Sequence, residues 1–135
     1  MKTFKSSLLI VTVAVLLSVT LTQAQVHESF SEKEIENLIS GINSENNGLM
    51  RSSVYFAGKY QIEAVVETLV DKLESEEEPS NIILIAMTIY KIGDREALMK
   101  VLDTAKSSEN ERVKHMLNAI VAEYLIETET EFVRN

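Results

Sequence analysis

The sequence predicts an all-α domain of about six helices, arranged as successive hairpins. Three observations carry that prediction. Past residue 30 the apolar residues recur three and four apart almost everywhere. No segment alternates apolar and polar residues long enough for a strand, and turn or capping residues break the pattern at short intervals. The chain's 135 residues, 45% hydrophobic and 25% charged, with four glycines and one proline, suit one folded domain.

The first element is an address. Lys2 and Lys5 precede an uncharged apolar run over 8–21, and Thr22-Gln23-Ala24 places small residues three and one before a cut ahead of Gln25. This is the three-part pattern of a secretory signal peptide. An uncleaved anchor is the competing reading, because 6–26 carries no charge. Ser18, Thr20, Thr22 and Gln23 weaken the last third of such a span, so cleavage after Ala24 and export to the periplasm or beyond are expected. Removing 1–24 takes two lysines and lowers the formal charge from −8 to −10. Residues 25–30 then form a short mature N-terminus.

The helices follow in order. Ile35, Leu38, Ile39 and Ile42 mark 31–42, opened by a capping box at Ser31-Glu32-Lys33-Glu34. Asn47-Gly48 reads as a turn before 49–60. Ile62, Val65, Val66, Leu69, Val70 and Leu73 mark 62–74. Pro79-Ser80 starts a helix over 81–92 that is apolar nearly all round, and burial between 49–60 and the last helix explains that composition. Leu98, Val101, Leu102 and Ala105 mark 95–106. A second capping box, Ser108-Glu109-Asn110-Glu111, precedes 112–126, and 127–135 reads as an acidic tail.

An internal repeat of 31–33 residues runs through these helices. Ser44-Glu45-Asn46 returns as Ser108-Glu109-Asn110 at twice 32, and at a shift of 33 Glu63-Ala64 falls on Glu96-Ala97 and Leu69 on Leu102. Ala86, Ile89, Lys91-Ile92-Gly93-Asp94, Ala97-Leu98 and Leu102 resemble the HEAT-repeat pattern, and Asn110-Glu111-Arg112-Val113-Lys114 resembles the opening of a next repeat. The resemblance covers about 38–126 and implies a short right-handed α–α superhelix. The family's Val-Arg pair stands here as Met50-Arg51, Ile82-Ile83 and Val113-Lys114. Packing between repeats is therefore expected to rest on apolar contacts rather than a polar ladder.

Chemistry-bearing patterns are few. A pI near 4.8 opposes phosphate binding and so nucleic acid. There is no cysteine for disulfides, thiolate zinc sites or thiol catalysis. His27 and His115 lack partners at zinc spacing and read as surface residues. Glu74, Glu76, Glu77 and Glu78 raise calcium, but the alternating ligands and glycine turn of a calcium loop are missing, and a solvated loop ahead of Pro79 fits better. Tyr55, Tyr60, Tyr90 and Tyr124 fall on the first helices of the repeats and read as core or rim packing. No catalytic set, metal or cofactor is expected.

Stacked hairpins expose their second helices as one surface where partners bind. Aligning those helices places Glu36, Glu67 and Lys100 at one position and Ser40, Asp71 and Thr104 one turn on; Glu67 and Asp71, four apart, share a face. The expected function is an exported, non-catalytic module whose partner is a protein or peptide, with the membrane involved only in export. A small-ligand protein or carboxylate-based enzyme, and a structural envelope component held by its N-terminal helix, are the alternatives.

Overall fold

Local chemistry sets each helix start. In the computed structural model, which describes residues 30–134, α1 (Glu32–Ile42) begins with the expected capping box. Ser31 Oγ accepts from Glu34 N, while the Glu34 carboxylate accepts from Ser31 N at 2.8 Å and from its hydroxyl at 2.7 Å. Those donors hold the Glu34 carboxyl below its ordinary range, the hydroxyl of Ser31 first and its backbone second. The box therefore stabilises α1 above the unfolded glutamate pKa, and that contribution disappears as pH falls through the lowered one. Amide exchange at the start of α1 is expected to quicken on acidification through that range. Ser31→Ala should remove this dependence.

The second helix starts earlier than the sequence suggests. Asn46 Oδ1 accepts from Leu49 N at 3.0 Å, so Asn47-Gly48 is the first turn of α2 (Asn47–Lys59) rather than a loop. Ile62 offers no oxygen to the next start, and the chain there tightens into a 3-10 turn (Glu63–Val65) before α3 (Val66–Ser75). Pro79 occupies the first turn of α4 (Pro79–Ile92), where a missing N–H costs nothing.

Gly93, at φ +83°, ends α4, and Asp94 then opens α5 (Arg95–Ser107) by accepting from Ala97 N at 2.8 Å. A Cβ on Gly93 would meet nothing within 4 Å. Gly93→Ala is thus expected to cost about 1 kcal/mol, from backbone strain alone, in a denaturant titration.

The last helix departs from expectation twice. The second capping box does not form: Asn110, not Ser108, caps α6 (Glu111–Arg134), its Oδ1 accepting from Arg112 N and Val113 N. Residues 127–134, expected as part of a tail, continue this helix. No glycine or proline stops it, and the Thr128 and Thr130 hydroxyls return to carbonyls four residues back.

The fold is all-α, with no strand among the described residues. α2, α4 and α6 form one layer and α1, α3 and α5 the other, each helix packing on the next but one in sequence. As the composition of 81–92 predicts, α4 is central, touching α2, α3, α5 and α6.

The repeat is visible in the burial. Ser53, Ile85 and Leu117, then Ala57, Ile89 and Val121, stand 32 apart and are all buried. Val65, Leu69 and Leu73 pair in the same way with Ala97, Val101 and Ala105 at 32, which corrects the shift of 33. The turns before α2 and α6 also match: Ser44 and Ser108 hydroxyls accept from Asn46 N and Asn110 N.

Packing between α2 and α4 is not purely apolar, contrary to expectation. Buried Asn81 accepts from Arg51 Nη1 at 2.6 Å and donates to Asn47 Oδ1 at 3.0 Å, while Thr88 donates to the Val54 carbonyl at 3.3 Å. Gly58 lets the helices approach, since a Cβ there would stand 3.2 Å from Thr88 Oγ1. Gly58→Leu is expected to lower the denaturation midpoint by forcing this pair apart, at a cost of about 1–3 kcal/mol.

Candidate functional site

The six residues of the expected stripe lie on α1, α3 and α5, which form one layer. Glu36, Ser40, Glu67, Asp71 and Lys100 are exposed, and Thr104 is half-buried. The helices stand side by side, and the four residues on the first two of them are all exposed. The third pair is displaced.

Burial sets the register from α3 to α5 at 32, which puts Met99 and Asp103 level with Glu67 and Asp71. Lys100 and Thr104 fall one residue on, about 100° around the helix. Lys100 there reaches Glu74 Oε1 at 3.7 Å, and the Thr104 hydroxyl donates to the Lys100 carbonyl at 3.0 Å. Both line an open groove of about 490 Å³ between the ends of α3 and α5, together with Leu73, Glu74, Asp103 and Ser107. Among the described residues neither Glu67 nor Asp71 has an ion-pair partner.

Two of the glutamates before α4, Glu76 and Glu78, are committed locally. Glu76 accepts from the backbone N–H groups of Glu77 and Glu78 and sits 3.7 Å from Lys72 Nζ, while Glu78 accepts from the Ser80 hydroxyl. Among the described residues no three His, Cys, Asp or Glu side chains gather as a metal site would need. His115 is exposed on α6. His27 and the whole 1–24 address lie outside the described residues.

A second groove, of about 450 Å³, escaped sequence reasoning. Tyr55, Lys59, Gln61, Tyr90, Lys91 and Glu127 line it on the α2–α4–α6 layer. Gln61 donates to the Lys91 carbonyl at 2.7 Å, satisfying an acceptor at the end of α4. The Tyr90 phenol is held above its ordinary value by a hydrogen bond with Glu127, then by burial and the Glu127 and Glu123 charges. The continuation of α6 past 126 brings Glu127 there. Tyr90 and Tyr124 are rim residues as expected, whereas Tyr55 and Tyr60 are exposed.

Both grooves are open. Among the described residues no helix is long and apolar enough to cross a membrane. No family model, curated protein or solved structure matches the chain.

Proposed function

We propose that the protein is an exported, non-catalytic interaction module that binds a protein or peptide across the α1–α3–α5 surface. A short right-handed superhelix of HEAT-like hairpins is the architecture this reading assumes. One observation carries it: adjacent helices of one layer present exposed polar side chains, Glu36 and Ser40 on α1, Glu67 and Asp71 on α3 and Asp103 on α5, with Glu67 and Asp71 free of ion pairs among the described residues. An exposed polar surface of this kind suits a macromolecule better than a small ligand, which needs an enclosing pocket.

Export rests on the N-terminal pattern, and intact-mass analysis of the protein recovered from outside the cytoplasm tests it. A species beginning at Gln25 is expected; one retaining 1–24 makes the chain an anchored component instead. The binding role is tested by affinity capture after light crosslinking, with a tag at the C-terminus. The wild type should retain a discrete partner, and Glu67→Lys/Asp71→Lys should lose it. Equal capture by both sinks the surface assignment.

A further inference from the structure

The two edges of the α2–α4–α6 layer differ in a way that the repeat makes readable. Asn81, Thr88 and Ile92 lie on the side of α4 that meets α2, and Val113, Ile120 and Tyr124 follow 32 residues later in α6. The same positions in α2 are Leu49, Phe56 and Tyr60. No helix of the described residues precedes α2 in its layer, and these three side chains are 52%, 39% and 40% exposed. At the opposite edge, α6 presents Glu111, His115, Asn118 and Glu129 to solvent beside Leu125 and Ile126, which are 46% and 57% exposed. That edge alternates polar and apolar residues near the C-terminal end, whereas on α2 the exposed positions are the ones that α4 and α6 use for packing on the preceding helix.

Charge and shape narrow what can cover it. The chain carries −8 overall, yet α2 contains no acidic residue and, with Arg51 turned to Asn81 on α4, holds Lys59. A second α2 laid antiparallel, with Leu49 against Phe56 of the other copy, would bring Lys59 beside Glu45 and Asn46 of that copy. A parallel pair would oppose Lys59 to itself. Near the centre of the antiparallel pair stands Ser52, small and exposed, with its hydroxyl already donating to the Gly48 carbonyl at 2.8 Å. Covering Ser52 therefore strands no donor. Phe30 packs edge-on against Phe56 and Tyr60, ring centroids 5.9 Å apart, and widens the apolar strip.

We infer that the α2 edge is a homodimer interface, formed by antiparallel α2–α2 packing about a two-fold axis near Ser52. Leu49 and Phe56 supply its apolar centre, and Lys59 with Glu45 of the other copy fixes its direction.

The chain has no cysteine, so a single introduced thiol reads the contact cleanly. With the protein expressed from its complete sequence, Ser52→Cys is expected to give a dimer with a short bis-maleimide, and Asn118→Cys at the far edge is not. Sedimentation of the unmodified protein should show a concentration-dependent dimer. Phe56→Glu should weaken it roughly thirtyfold or more, as loss of a central anchor does. Lys59→Glu should weaken it as well, and adding Glu45→Lys should restore it, a rescue that a folding defect would not give. Equal crosslinking at 52 and 118, a folded wild type monomeric at every concentration, or failure of the charge swap to restore dimer would each overturn the inference.

Discussion

Replacing Ile89 by alanine is expected to lower the unfolding free energy by about 2–5 kcal/mol, read from the midpoint and slope of a urea titration. Ile89 is fully buried on α4, which is packed by four other helices. Truncation removes three methyl or methylene groups from a site enclosed by buried side chains on several helices, so the cavity cannot close by moving one neighbour. The same truncation at half-buried Leu102 on α5 should cost clearly less, because solvent reaches the space it leaves. Similar losses at the two positions would contradict the central placement of α4.

Asn81→Ala is the second large effect, at about 1–3 kcal/mol. The Asn81 amide is buried and uses both ends: its oxygen takes the Arg51 guanidinium and its nitrogen donates to Asn47. Alanine leaves Asn47 without that donor and Arg51 with only the longer contact to the Ser80 hydroxyl, at 3.3 Å. Asn47→Ala alone should cost less, because Asn47 is exposed and Asn81 keeps Arg51. The double variant should cost less than the sum of the two, since the second change removes the group stranded by the first. Strict additivity would show that the bridge contributes nothing between α2 and α4.

How much of this was legible depends on which interaction decides each feature. Helix identity follows from apolar spacing, which burial of one face imposes, and α4's all-round apolar composition gives away its central place. Boundaries depend on side-chain caps, and there the competition between Ser108 and Asn110 is settled by geometry that spacing does not contain. The end of α6 was unreadable for a different reason. Glu127 to Glu131 looks like a solvated tail, but the same residues are compatible with an exposed helix once the threonine hydroxyls bond back to it.

The alignment of the second helices was off by one residue. Aligning Leu69 with Leu102 is plausible by type, yet the helices pack with Leu69 level with Val101, and that single step turns Lys100 and Thr104 away from Glu67 and Asp71. The Arg51–Asn81 bridge had a signal that apolar counting passes over: an asparagine at the head of an otherwise apolar helix, thirty residues after an arginine in the neighbouring one.

The α1–α3–α5 surface is tested most directly by placing a photo-crosslinking amino acid at Asp71, and separately at Asn118 on the far edge of the other layer, in protein produced by its native cell. Irradiation should join a discrete partner at position 71 and give none at 118. The same partner from both positions, or none from position 71 in a folded protein, would contradict a binding surface on these helices.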